Sequence, residues 1–208
     1  MAYDLEEQEQ LDEFRVWWKK NGKWLTSLLL AVVVAYAAWT AYQFMQNKKA
    51  VEASSLYQNL VTLETTNTAE IKAQSSKLME NFAGTPYAGR AAVYAAKVNY
   101  QAKDSKSAKA QLEWAKNNAI ESAVQAIATL QLANLLVEEK NYDGANKLLA
   151  NNLDAGYDGL KNNLQGDILL AQGKTAEAKK AFEKALAGMD SQGRLHQYTK
   201  QKLEALGS

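Results

Sequence analysis

Residues 166–185 read GDILLAQGKTAEAKKAFEKA and decide the fold, because the same spacing of small and large side chains occurs twice more in the chain. Residues 96–115 read AKVNYQAKDSKSAKAQLEWA, and residues 133–152 read ANLLVEEKNYDGANKLLANN. In each stretch, an Ala follows a small residue twelve positions later, and a large apolar residue comes four positions after that Ala. The residues that carry the pattern are Ala96, Ala108 and Leu112, then Ala133, Ala145 and Leu149, then Gly166, Ala178 and Phe182.

This spacing predicts antiparallel helical hairpins that stack on one another. Small side chains allow close approach where two helices cross, so the first small residue and the later Ala are expected to face each other. The large residue, one helical turn further on, is expected to fill the groove toward the next hairpin. Turn-forming residues separate the two helices in every copy, at residues 103–105, 140–144 and 172–174.

Roughly residues 87–186 resemble the tetratricopeptide repeat, and the third copy resembles it best. The Trp of helix A and the terminal Pro that are usual in this repeat are missing from all three copies. Outside the copies, residues 48–63 and 69–82 predict another helix pair, and Leu195, Tyr198, Leu203 and Leu206 predict one face of a C-terminal capping helix. The predicted fold class is all-α, and a generic helical bundle is the alternative to the repeat.

Residues 24–45 read WLTSLLLAVVVAYAAWTAYQFM and contain no charged residue. As a helix they would span about 33 Å, which matches the ~30 Å hydrocarbon core of a bilayer. Trp24 at one end and Trp39, Tyr42 and Phe44 toward the other are typical of a membrane-interface belt. The stretch predicts a transmembrane helix between an N-terminal segment at residues 1–23 and a repeat domain at residues 46–208.

Basic residues on either side of the span predict its orientation. Four precede it and two follow it closely: Arg15, Lys19, Lys20 and Lys23, then Lys48 and Lys49. Because the more basic flank stays in the cytoplasm, we expect a cytoplasmic N-terminus and a repeat domain outside the inner membrane of a bacterium. A signal peptide cleaved near Ala35-Tyr36-Ala37 is the alternative. It is disfavoured because six acidic residues precede the span and the apolar run continues to Met45.

Two further patterns concern the N-terminal part of the chain. Leu11, Phe14 and Trp18 recur at i, i+3 and i+7 beside Trp17, which predicts an amphipathic segment at the inner interface. An anchoring collar is favoured there over a docking peptide. Within the span, Ser27, Ala31 and Ala35 form a stripe of small residues, which predicts packing against a partner helix.

Composition argues against most catalytic chemistry. The chain of 208 residues has no Cys and one His, and no ligand or triad partner stands next to His196, which we interpret as a surface residue. The net charge of +1 gives no general attraction to nucleic acid. The sequence contains no phosphate-binding glycine loop and no GxSxG motif. It therefore predicts a binding protein without cofactor or metal, not an enzyme.

Stacked hairpins present a concave groove that is lined mainly by helix A of each pair and that takes peptide segments. The predicted groove residues are polar or aromatic positions of helix A: Asn99, Tyr100, Gln131, Asn134 and Asp167. A sequence does not fix the angle at which helices cross. That these side chains lie on the groove face of their helices is therefore an expectation.

The whole chain resembles the YfgM family, the ancillary subunits of the bacterial SecYEG translocon. The resemblance is carried by WWKKNGK at residues 17–23, LYQNLV at 56–61 and LQGDILLAQGK at 164–174. It implies association with SecYEG and with a membrane-anchored chaperone of the PpiD type. The implied role is to pass unfolded secreted or outer-membrane polypeptides to periplasmic chaperones, and the family also suggests a cytoplasmic regulatory contact. A scaffold for another envelope assembly complex is the alternative.

Overall fold

The computed structural model describes residues 2–150, 153 and 155–207, and all regular structure within these residues is helical. The prediction of an all-α fold is therefore confirmed. The helices are α1 (Ala2–Thr62), α2 (Thr68–Asn81), α3 (Pro86–Gln101), α4 (Ser105–Asn118), α5 (Ser122–Glu138), α6 (Tyr142–Leu149), α7 (Asp158–Ala171), α8 (Thr175–Ala187) and α9 (Arg194–Ala205). A single 3-10 turn, Ala155–Tyr157, precedes α7.

The chain divides into two compact units, Met1–Lys49 and Ala50–Ser208. The first unit consists of the N-terminal part of α1, which includes a stretch long and apolar enough to cross a membrane. Between Trp24 and Met45 almost every side chain is exposed, as a lipid-facing helix requires. Before this stretch, the Phe14 ring stacks on Trp17 and Trp18 with centroids 6.1 and 6.0 Å apart.

The second unit is a stack of helical hairpins. In its first pair, Leu60 of the C-terminal part of α1 shares an apolar cluster with Ile71 and Leu78 of α2. The next pairs are α3–α4, α5–α6 and α7–α8. α9 packs on α8, as expected of a capping helix. Capping side chains help to start several helices: the Asn67 side chain accepts the N–H of Glu70 at α2, and Asp104 accepts that of Ser107 at α4.

The residues of the repeat pattern lie in the core. All nine predicted repeat-packing residues are buried: Ala96, Ala108, Leu112, Ala133, Ala145, Leu149, Gly166, Ala178 and Phe182. Leu112 belongs to an apolar cluster that includes Leu132 of α5, and Leu149 to one that includes Ile168 of α7. Large residues of the second helix thus pack toward the next hairpin in these two copies. Each such burial contributes about 1.5–3 kcal/mol.

Phe182 departs from that arrangement because it also covers Gly166 in its own hairpin. A Cβ built on Gly166 would lie 2.4 Å from Phe182 Cε1 and 2.6 Å from Cδ1. The large residue therefore packs directly against the first small residue. The sequence pattern instead predicts that Gly166 faces Ala178, twelve positions along.

The capping helix uses a different face from the one predicted. Leu203 and Leu206 are half-buried, but Leu195 and Tyr198 are exposed, the latter by 56%. The fully buried residue of α9 is Thr199, whose hydroxyl lies 2.9 Å from Asn163 Oδ1 of α7. A polar residue can occupy this position because its hydrogen bond is satisfied.

Candidate functional site: a groove along α3, α5 and α7

A groove of about 510 Å³ lies along the first helices of three successive hairpins. Its lining is mixed, and we call the apolar part of the lining the floor and the polar part the edges. The apolar residues are Ala96, Leu112, Ile127, Leu130, Leu135, Leu160 and Leu164. The polar residues are Lys97, Tyr100, Gln131, Asn134, Asn163 and Asp167.

Helical periodicity places these residues on one side of the stack. On α5, Ile127 is followed three and four positions later by Leu130 and Gln131, and Asn134 comes three positions after Gln131. On α7, Leu160, Leu164 and Asp167 are likewise four and three positions apart. Ile127 is 38% exposed although it is a large aliphatic residue. An aliphatic side chain left open between polar neighbours is typical of a binding groove.

The polar edge between α3 and α5 is a hydrogen-bonded chain. The Tyr100 hydroxyl donates to Glu138 Oε2, and Asn134 Nδ2 donates to Glu138 Oε1 over 3.2 Å. The hydrogen bond to Glu138, with a smaller effect of desolvation, raises the pKa of the Tyr100 phenol above its ordinary value. Tyr100 therefore stays protonated and serves as a donor, and both oxygens of the Glu138 carboxylate accept hydrogen bonds.

At the α7 edge of the groove, the negative charge of Asp167 is neutralised by Lys202 of the capping helix α9. Lys202 Nζ of α9 lies 2.7 and 2.8 Å from the two carboxylate oxygens of Asp167. The same ammonium lies 4.7 Å from the Tyr198 ring centroid and 5.5 Å from that of Phe182. Asp167 thus lines the groove as one member of an ion pair, and its charge is compensated.

The structure brings four of the five predicted groove residues together: Tyr100, Gln131, Asn134 and Asp167. The prediction that Asn99 lines the groove is wrong, because its side chain is only 2% exposed and is not among the lining residues. Its Nδ2 donates to Gln111 Oε1 of α4 over 2.9 Å, so Asn99 joins the two helices of its hairpin. Tyr100, the next residue along α3, points about 100° away from Asn99 and does line the groove.

Sequence reasoning missed Lys97 and the apolar floor. A signal for them was available, because Lys97 precedes Tyr100 by three positions and Ile127 precedes Gln131 by four. The prediction is restricted to polar and aromatic positions of helix A, and therefore leaves out the apolar residues Ile127, Leu160 and Leu164. Leu160 and Leu164 also precede Asp167 at helical spacing.

The small residues of the apolar span are not covered within the structure. Ser27, Ala31 and Ala35 are all exposed. Ser27 Oγ donates to the carbonyl oxygen of Lys23 over 2.8 Å, so its hydroxyl is satisfied within its own helix. Packing of this stripe against another helix stays a prediction.

His196 is more enclosed than expected for a surface residue. It is half-buried in a cleft between α8 and α9, and its Nδ1 atom is buried without a hydrogen-bond partner. Lys179, Glu183, Lys200 and Glu204 also line the cleft. No group of three His, Asp or Glu side chains suited to a metal is found in the described residues.

Residues 15–208 match the family of tetratricopeptide repeat-like domains. Over 99% of its length the chain is 34% identical to a Neisseria gonorrhoeae protein called ancillary SecYEG translocon subunit, all of which is covered. Proteins of the same name from Haemophilus influenzae and Escherichia coli are both 28% identical, covering 89% and 85% of this chain and 91% and 85% of their own lengths. No solved structure matches the chain significantly.

Proposed function

Because the chain belongs to the YfgM family of ancillary SecYEG translocon subunits, we propose that it is a membrane-anchored adaptor of the Sec translocon. The observation that carries the proposal is the identity of 34% over the full length of a protein of that name. In this function the protein is a binding subunit and not an enzyme, and it needs no cofactor.

The proposed topology is a single pass through the bacterial inner membrane. Residues 1–23 lie in the cytoplasm, residues 24–45 cross the bilayer, and residues 46–208 form a periplasmic repeat domain. The excess of basic residues before the span supports this orientation. Protease added to spheroplasts is expected to digest residues 46–208 and to leave an N-terminal tag intact. Digestion of that tag in intact spheroplasts would reverse the topology.

The groove along α3, α5 and α7 is proposed to hold unfolded secreted or outer-membrane polypeptides as they leave the translocon. A membrane-anchored chaperone of the PpiD type is the proposed recipient. The open aliphatic floor and polar edges of the groove support this role, because extended polypeptides offer both apolar side chains and unpaired backbone groups.

Purification of the full chain in mild detergent tests the partners. SecY and a PpiD-like chaperone are expected in the eluate. The paired substitution Ala31→Leu and Ala35→Leu should reduce the recovery of translocon subunits, since bulky residues prevent close helix approach. Ala37→Leu, on another face of the same helix, is the matched control. Absence of both partners would refute the proposal, and recovery of other envelope machinery would favour the scaffold alternative.

Ile127→Glu tests the groove separately. The new carboxylate would stand on the apolar floor and should reduce crosslinking of nascent secretory chains to the repeat domain. Recovery of SecY should be unchanged, because the substitution lies outside the span. Undiminished crosslinking of the nascent chains would show that they bind elsewhere.

A further inference from the structure

We infer that the groove prefers an extended polypeptide segment in which an acidic residue stands beside aliphatic ones. This inference rests on the proposed function, in which the groove binds polypeptide, and adds the chemistry of the occupant. The charge of Lys97, the amides that line the groove and its apolar floor support the inference.

Lys97 is the one lining cation, and its charge is uncompensated within the described residues. None of the salt bridges formed there includes Lys97, whose side chain is exposed on α3. Of the carboxylates near the groove, Asp167 is paired with Lys202, and Glu138 accepts from Tyr100 and Asn134 but is not among the lining residues. Among the lining side chains, the charge left for an occupant to complement is therefore that of Lys97.

The amides of the groove favour an extended occupant over a helical one. Gln131 forms no side-chain hydrogen bond among the described residues, and Asn134 keeps its carbonyl oxygen free as an acceptor. An extended segment has unpaired backbone N–H and C=O groups that can bond to these amides. A helix satisfies its own backbone and would leave the amides unpaired in a desolvated groove.

The order of the lining residues sets the order of side chains in the occupant. Helices in contact lie 8–10 Å apart, so three of them cover roughly 20 Å, the length of about six extended residues. An acidic side chain at the α3 end reaches Lys97, and aliphatic side chains then lie over Ile127 of α5 and Leu160 of α7. A basic side chain at the α3 end would meet a like charge.

Fluorescence anisotropy with the full chain in neutral phosphatidylcholine nanodiscs tests the inference. The probes are three labelled hexapeptides that share two leucines and differ at one position, which is Asp, Asn or Lys. We expect the Asp peptide to bind about two- to fivefold more tightly than the Asn peptide, as for an exposed ion pair, and the Lys peptide to bind most weakly. The preference should shrink in 1 M salt.

Variants separate the charge preference from groove binding as such. Lys97→Gln should abolish the difference between the Asp and Asn peptides. Lys147→Gln, which removes an exposed lysine of α6, is the matched control and should preserve the difference. Equal binding of all three peptides to the parent protein would overturn the acidic preference alone. A failure of every peptide to bind, with SecY still recovered, would overturn the groove as a polypeptide site and leave translocon association standing.

Discussion

Gly166 and Phe182 show how a single missing methyl group determines the packing of α7 on α8. The Phe182 ring is fully buried and occupies the space that a Cβ on residue 166 would need, with Cε1 only 2.4 Å from that position. Glycine normally weakens a helix by about 1 kcal/mol relative to alanine. At residue 166 glycine is required, because the Phe182 ring leaves no space for a side chain.

Gly166→Ala is therefore expected to destabilise the protein although alanine is the better helix former. Overpacking of this kind costs about 1–3 kcal/mol and outweighs the gain in helix propensity. The measurement is thermal unfolding of the full chain in detergent, followed by circular dichroism. Gly156→Ala is the control, because no atom lies within 4 Å of the position where its Cβ would be. A melting temperature of Gly166→Ala equal to that of the parent would contradict the packing.

Asp104 makes stability depend on pH at the start of α4. Hydrogen bonds from Ser107, whose N–H lies 3.0 Å from Asp104 Oδ1, lower the pKa of this carboxyl, and Lys72 Nζ at 3.6 Å from Oδ2 lowers it further. Because the folded state holds the pKa below its unfolded value of about 3.9, the charged carboxylate adds stability above that value. The contribution is lost as the pH falls through the folded pKa.

Asp104→Asn tests this dependence, since asparagine keeps the capping oxygen but carries no charge. The variant should melt below the parent at pH 7, and the difference should close as the pH falls below about 4. Melting temperatures measured across that range provide the test. A difference that stayed constant with pH would show that the charge of Asp104 does not act on stability.

At the scale of elements, three hairpins share one connection. A left-handed residue follows the first helix in each, namely Lys103, Lys140 and Gly173, with φ of 67°, 59° and 75°. The next residue donates its N–H to the carbonyl five positions earlier, which closes a Schellman motif, and also serves as the N-cap of the second helix. These N-cap residues are Asp104, Asn141 and Lys174.

Lys174 is the weak member of the series. Asn141 Oδ1 accepts the N–H of Gly144 over 3.0 Å, whereas Lys174 makes no side-chain cap to α8. Lys174→Asn should therefore stabilise the protein by about 0.5–2 kcal/mol, because its backbone already has the same conformation as Asn141. Urea unfolding of the two proteins measures the gain. Asn141→Ala should lose a similar amount, and a Lys174→Asn variant no more stable than the parent would contradict the shared cap geometry.

The elements also mark how far sequence reasoning could go. The helices and their pairing could be predicted because apolar and small residues repeat with helical period. Asn99 was misplaced because spacing alone does not fix which way a helix is turned. Ion pairs between long side chains could not be predicted, because they leave no periodic pattern in the sequence. Lys109 Nζ of α4 lies 2.6 Å from Glu139 Oε2 in the next hairpin. Lys72, 37 residues before Lys109, similarly pairs with Asp104 in the hairpin that follows its own.

In the repeat domain as a whole, each hairpin should be stabilised mainly by its contacts with the adjacent hairpins. α9 packs on α8, α8 on α7, and further contacts join α7 to α5 and α5 to α3. In such a stack each hairpin is stabilised mainly by those beside it. The capping helix therefore acts most strongly on the last hairpin, where Thr199 meets Asn163 and Lys202 meets Asp167.

Removal of residues 194–208 should consequently produce a graded loss of stability. Asn163 would lose its buried partner, Asp167 would lose its counter-charge, and the covered face of α8 would meet water. Hydrogen exchange of the truncated chain in detergent should show the greatest loss of protection in α7 and α8, a smaller loss in α5 and α6, and little change in α3 and α4. The change Gln201→Ala, at an exposed position of α9, should leave all of them protected. A uniform loss across the four hairpins would mean instead that the domain unfolds as one cooperative unit, and the nearest-neighbour description would then fail.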